Sequence, residues 1–166
     1  MNGSTGLTSV GSIARVARIL WIAFMISMVI HGVVPRFIPL EGEPMAGLDL
    51  VFWSAAGLLA LGALGYRRWA FSDDALRRAV GMTPGSAPPT DAASRERRQL
   101  TLAQLALRHQ IVILAILDGI SVIGLVDAIL TQDPSAAFAF AGVALALALT
   151  SYPRVTEVVE RSKAWG

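Results

Sequence analysis

The sequence predicts an all-α membrane protein, a polytopic four-helix bundle, on the strength of its composition and of four long apolar segments. Of its 166 residues, 54% are hydrophobic and only 16% are charged, whereas about 25% of the residues in a soluble domain are charged. A bilayer core about 30 Å thick needs about 20 mostly apolar helical residues to cross it. Each of the four segments comes close to that length, so each is predicted to span the membrane.

The spans are predicted to form two hairpins, at residues 19–38, 48–66, 111–130 and 135–152. The first follows Arg15 and Arg18 as a signal peptide would, but it is long and lacks a clear cleavage site, which favours an uncleaved anchor. In the fourth, residues 145–149 alternate leucine and alanine as a β-strand would. A helix is still predicted there, because an open strand edge finds no hydrogen-bonding partner in lipid.

The basic residues lie almost entirely on one side of the predicted spans. Of the 14 Lys and Arg residues, only Arg36 lies on the side of the hairpin loops. Since cytoplasmic segments are enriched in Lys and Arg, the termini and the central linker are predicted to be cytoplasmic, with loops 39–47 and 131–134 outside. This predicts a multi-pass protein of the cell inner membrane with cytoplasmic N- and C-termini.

The chain is accordingly predicted to have four parts. They are an N-terminal tail with the first hairpin (1–66), a basic linker with short amphipathic helices (67–108), the second hairpin (109–153) and a cytoplasmic tail (154–166). Residues 1–12 are rich in Gly, Ser and Thr and are expected to be a loose tail.

The linker is predicted to hold two helices separated by a loop. Ser72, followed by two acids, has the pattern of a helix start, and the Pro- and Gly-rich residues 82–93 predict a loop. Ser94 is expected to cap a helix that runs into the third span. The arginines of this helix lie beside leucines, a pattern typical of segments that bind anionic lipid headgroups. The alternative is that these charges only fix the orientation of the protein in the membrane. No nucleic-acid recognition module is visible, so nucleic acid is not an expected partner.

The two hairpins resemble each other weakly in sequence. The Tyr-x-Arg of residues 66–68 recurs at 152–154 after a shift of 86, and Gly32 recurs as Gly124 after a shift of 92. The pattern predicts two duplicated hairpins.

Asp118 is the first candidate for chemistry. Counted from Ile111 at 1.5 Å per residue, it lies about 10 Å inside the hydrocarbon, where a charge costs at least about 2.5–3.5 kcal/mol. It is therefore expected to face protein, a partner subunit or water, as a proton or cation carrier would. The alternative is a neutral carboxylic acid that hydrogen-bonds to Ser121 or to Ser27, which lies at a similar depth in the first span.

Two further ion-handling candidates flank this position. Asp127 lies nine residues after Asp118, on the opposite face of the helix, and is expected to be close enough to the outer surface to reach water. His31 lies between the two acids in depth and could pair with either of them. The alternative for His31 is a structural histidine hydrogen-bonded inside the bundle.

Small residues form a stripe along the fourth span, at positions Ala137, Ala141, Ala144 and Ala148. Such stripes let helices approach closely in lipid. They predict a tight bundle or an oligomer, and the expected protein partners are further copies of the chain or other membrane subunits.

Several classes of function are excluded or unsupported. The chain has no cysteine and two histidines, which excludes thiolate and histidine-rich metal sites. The phosphate-binding loop and the H-E-x-x-H and G-x-S-x-G motifs are missing from the sequence. No enzyme activity, metal or cofactor is predicted.

The third span, LAILDGISVIGLVDAIL at residues 114–130, contains Asp118 a few residues before Ile-Gly-Leu-Val at 123–126. This pattern resembles the carboxylate-bearing helix of rotary ATPase proteolipid (c) subunits, and doubled hairpins are known among vacuolar-type proteolipids. The resemblance implies that Asp118 is an ion-carrying carboxylate. Otherwise the chain is typical of a small bacterial four-span protein.

Two functional hypotheses follow. In the first, the chain is an oligomeric subunit that handles protons or cations with its membrane carboxylate. In the second, it is a non-catalytic accessory or scaffold subunit of a larger membrane complex, with the alanine stripes as contacts.

Overall fold

A computed structural model describes residues 9–40, 43–45, 47–82, 91–163 and 165, and all regular structure within these residues is helical. The helices are α1 (Val10–Val33), α2 (Asp49–Ala70), α3 (Asp73–Ala79), α4 (Ala92–Thr131), α5 (Pro134–Thr150) and α6 (Val155–Lys163). Four helical segments are long and apolar enough to cross a membrane: Val10–Arg36, Asp49–Ala70, Ala92–Thr131 and Pro134–Lys163. The prediction of an all-helical fold with four membrane-span-like helices is confirmed.

The chain divides into two compact units. The first, here called the basic unit, comprises Met1–Leu20, Arg67–Ile111 and Pro153–Gly166. The second, here called the apolar bundle, comprises Trp21–Tyr66 and Val112–Tyr152. The apolar bundle contains parts of α1, α2, α4 and α5, and thus part of each predicted span.

Helix α6 lies in the segment that the sequence predicted as a plain tail. Val155, Val158 and Val159 follow one face of the helix, are buried, and share a hydrophobic cluster with Ile13 of α1 and Leu102 of α4. The apolar spacing i, i+3, i+4 is that of an amphipathic helix, and it was the signal available in the sequence. The basic unit thus has its own hydrophobic core.

Several helix ends differ slightly from the predicted positions. Helix α1 begins at Val10, inside the predicted tail, of which residues 1–8 lie outside the described residues. It ends at Val33, before the predicted 38, and a 3-10 turn Val34–Arg36 follows, because Pro35 has no N–H to continue the α-helical hydrogen bonds. In the predicted loop 82–93, residues 83–90 lie outside the described residues, and residues 92 and 93 are already helical.

The caps of the linker helices come from Ser72 and Asp91. Ser72 Oγ accepts a hydrogen bond from the Ala75 N–H at 3.3 Å, as its predicted role requires. For α4 the cap is Asp91 and not the predicted Ser94, since the Asp91 carboxylate accepts hydrogen bonds from the Ser94 N–H at 2.9 Å and from its hydroxyl at 2.8 Å. Aspartate is among the best capping residues, and α4 then runs without a break through the third span, as predicted.

Asp133 caps α5 and makes a pH-dependent contribution to the stability of the fold. Its carboxylate accepts hydrogen bonds from the Ser135 N–H at 2.9 Å and the Ser135 hydroxyl at 2.7 Å, and these bonds lower the pKa of the carboxyl group. We expect Asp133→Ala to lower the free energy of unfolding by about 0.5–1 kcal/mol at pH 7. The pKa of Asp133 is lower in the folded than in the unfolded protein. The stability difference between the wild type and the alanine variant is therefore fully present above the unfolded-state pKa of about 3.9 and decreases as the pH falls through the folded-state pKa.

Thermal unfolding followed by circular dichroism at several pH values measures this effect. Asp133→Asn is the matched control, because asparagine also caps helices but does not titrate. If the unfolding midpoint of the wild type exceeded that of the alanine variant by the same amount at pH 3 and pH 7, this would contradict a stabilising role for the ionised Asp133 carboxylate.

Candidate functional site

Two glycines bring α5 close to its neighbours inside the apolar bundle. A Cβ atom on Gly32 of α1 would lie 2.8 Å from the Ala141 Cβ. One on Gly124 of α4 would lie 2.9 Å from Cγ of Phe140, a residue that is fully buried. Only glycine permits these approaches, so the two positions set how closely α5 packs on α1 and α4.

The alanine stripe of α5 takes part in the same packing. All four residues are buried: Ala137, Ala141, Ala144 and Ala148. Trp21 of α1 adds a hydrogen bond from its indole N–H to the Ala148 carbonyl at 2.9 Å. The stripe therefore serves contacts within the chain, where the sequence had left open whether it served the bundle or an oligomer.

A polar cluster connects α1 and α4 within this apolar surrounding. The Nδ1 atom of His31 lies 2.9 Å from Ser121 Oγ and 3.5 Å from Asp118 Oδ1. Ser121 Oγ lies 2.7 Å from the Asp118 carbonyl and 3.3 Å from its carboxylate. A consistent arrangement has His31 Nδ1–H donate to Ser121, whose hydroxyl donates to the Asp118 carbonyl. The three residues are called the polar cluster below.

The cluster lies inside the apolar bundle, but its side chains are partly exposed. The side chains of His31 and Asp118 are 23% and 21% exposed, whereas Ser121 is fully buried. Counted from Val112, where α4 enters the apolar bundle, Asp118 lies about 9 Å along the helix axis. A carboxylate at this depth is stabilised by a neighbouring cation or by protonation, and His31 can supply either a positive charge or a proton.

The other predicted site residues lie apart from this cluster. Ser27 is half-buried on α1, and none of the hydrogen bonds found among the described residues connects it to Asp118. Asp127 is only 1% exposed, so it is buried where the sequence suggested contact with water. It lies, as expected, on the face of α4 opposite Asp118, and His31 pairs with Asp118 and not with it.

A cavity of about 550 Å³, which the sequence did not predict, lies between α2, α4 and α5 on the side of Asp127. Asp49, Asp127, Asp133 and Trp53 are among its lining residues. The signal available in the sequence was the position of these acids, which all lie near the loop ends of the predicted spans. The cavity is called the loop-end cavity below.

Comparison with family models, curated proteins and solved structures finds no match for the chain. The assignment of a function therefore rests on the residues and their geometry. Among the described residues, no group of three or more His, Asp or Glu side chains could together hold a metal ion. The polar cluster contains an imidazole and a carboxyl group, both of which can bind and release a proton, and proton exchange is the chemistry that this composition supports.

Proposed function

We propose that the chain is a proton-handling subunit of the cell inner membrane, with Asp118 as the proton carrier and His31 as its partner. The observation that carries the proposal is the 3.5 Å separation of His31 Nδ1 and Asp118 Oδ1 inside a bundle of apolar helices. Ionisable groups in such a place are costly and are typical of proton pathways. The one-sided distribution of Lys and Arg supports cytoplasmic termini and a central segment in contact with anionic headgroups.

The pair can hold one proton in two ways. With neutral His31 carrying its hydrogen on Nε2, the proton resides on the Asp118 carboxyl group; when it passes to Nδ1, both ring nitrogens carry hydrogen and the two side chains form an ion pair. The net charge of the pair is the same in both states, so a transfer between them avoids moving a net charge within the low-dielectric bundle. Ser121 orients the imidazole through Nδ1 and is therefore a positioning residue.

The resemblance of α4 to the proteolipid helix supports the same role for Asp118. In this interpretation the chain is one subunit of an oligomer. Helix α2 offers a surface for association, since a Cβ on Gly57, Gly62 or Gly65 would meet no atom within 4 Å. Small residues on an open face allow another helix to approach closely in lipid.

We expect His31→Gln to slow proton flux about 10–100-fold, because glutamine keeps a polar side chain but has no group that takes up and releases a proton. The purified full chain is reconstituted in liposomes, and the flux driven by a potassium diffusion potential is followed with an internal pH-sensitive dye. His109→Gln is the matched control, since it removes the other histidine, which belongs to the basic unit.

Equal flux in the two histidine variants would contradict a role for the His31–Asp118 pair. Wild-type flux no faster than that of protein-free liposomes would overturn the proton-handling function. The open face of α2 would then favour the second candidate, a non-catalytic accessory or scaffold subunit, whose association is measured by sizing in native detergent.

A further inference from the structure

The loop-end cavity is acidic. Three carboxylates line it, from Asp49 at the start of α2, Asp127 near the end of α4 and Asp133 at the cap of α5. None of its described lining residues is Lys, Arg or His. A cavity with several negative charges and no basic residue attracts cations.

Asp127 provides a second and independent observation. Its Oδ1 is buried and has no hydrogen-bond partner among the described residues, and the charges of Asp49 and Asp133 act on it electrostatically. A buried carboxylate without a donor or counter-ion is costly. A bound cation that also donates a hydrogen bond would remove both costs.

The geometry favours an organic cation over a metal ion. The three carboxylates do not form a group that could hold a metal together, and the cavity volume of about 550 Å³ is far larger than a metal ion needs. Trp53 also lines the cavity, with its ring stacked on Phe140 at a centroid distance of 4.2 Å. A tryptophan held in this way can contact the carbon-bound hydrogens of an alkylammonium ion and its charge.

We propose that the loop-end cavity binds a small organic ammonium ion of the protonated primary amine class. Asp127 accepts a hydrogen bond from the ammonium group, Asp49 and Asp133 add electrostatic attraction, and Trp53 packs against the alkyl part. The site shares no residue with the polar cluster, so the test of this proposal is independent of proton handling.

Calorimetric titration of the full chain in phosphatidylcholine nanodiscs tests the site. The probes are n-butylammonium and tetramethylammonium, which carry the same charge but differ in having N–H donors. We expect n-butylammonium to bind more tightly. We expect Asp127→Asn to weaken n-butylammonium binding about 10–100-fold, because the negative charge is lost and the remaining amide oxygen accepts a weaker hydrogen bond than a carboxylate does.

Glu96→Gln is the matched control, since it removes one negative charge from the exposed first turns of the same helix. We expect it to leave both affinities unchanged. Trp53→Leu is a second variant that keeps all three carboxylates, and we expect it to weaken both probes about 2–10-fold. Circular dichroism of each variant verifies that the helices are retained.

Three outcomes would overturn the site. They are no binding to the wild-type chain, equal affinity for the two probes, and equal losses in the Asp127→Asn and Glu96→Gln variants. Should Asp127→Asn fail to fold, an unchanged affinity in Trp53→Leu would overturn the site, and the expected loss would support it.

Discussion

Replacing Asp118 by asparagine is expected to reduce proton flux through the reconstituted protein to the level of protein-free liposomes. Asparagine has nearly the same size and can still accept a hydrogen bond from Ser121 or His31, but it carries no titratable proton. In the wild-type cluster Asp118 Oδ1 lies 3.5 Å from His31 Nδ1 and 3.3 Å from Ser121 Oγ. The variant keeps these neighbours and removes the step in which the carboxylate takes up or releases a proton.

The flux measurement uses the same liposomes and dye as the histidine variants. Asp118→Glu restores a carboxylate on a longer side chain and is expected to retain part of the flux. Asp74→Asn removes an acid from the exposed start of α3 and is expected to leave the flux unchanged. Flux in Asp118→Asn equal to that of Asp74→Asn would show that protons pass elsewhere.

Stability separates a functional carboxylate from a structural one. An asparagine at position 118 no longer has to be neutralised in the low-dielectric bundle, so we expect the unfolding midpoint in detergent to stay the same or rise. A large fall in that midpoint would instead indicate that Asp118 mainly connects α4 to α1.

The four long apolar helices, and the place of Asp118 within one of them, were predictable because they depend on local sequence. Span length follows from the apolar run and the thickness of the bilayer. The contact between Asp118 and Ser121 was also anticipated, since residues three apart on a helix are neighbours. The amphipathic spacing of α6 is local too. The helix is only nine residues long and follows an apolar span, so the sequence was interpreted as a plain tail there.

The choice of partner for His31 was not predictable in the same way. His31 lies 90 residues from Ser121 in the chain. The sequence left both Asp118 and Asp127 open as partners of His31, because depth alone does not fix the rotation of α1 against α4. That rotation depends on packing against α5, in which Gly32 and Gly124 take part. The loop-end cavity escaped prediction for a related reason, since Asp49 and Asp127 become neighbours only when α2 and α4 pack together.

Gly124→Ala is expected to destabilise the apolar bundle by about 1–3 kcal/mol, the usual cost of an added methyl group in a tightly packed core. The new Cβ would overlap the Cβ and the ring of Phe140, a residue that cannot move away easily because it is fully buried and its ring is stacked on Trp53. Gly142→Ala on α5 is the matched control, since a Cβ there meets no atom within 4 Å. It should stabilise the helix by about 0.5–1 kcal/mol through its better helix propensity.

The decisive arm of this experiment is the double variant Gly124→Ala/Phe140→Gly. The atoms closest to the new Cβ are the Cβ, Cγ and Cδ2 of Phe140, so glycine at position 140 removes the whole overlap, and the double variant should be more stable than the sum of the two single changes allows. Strict additivity, or a Gly124→Ala variant as stable as the wild type, would show that α4 and α5 are not in the close contact described. Because α5 also packs on α1 at Gly32, the same displacement should disturb the alignment of His31 with Asp118 and slow proton flux in the Gly124→Ala variant.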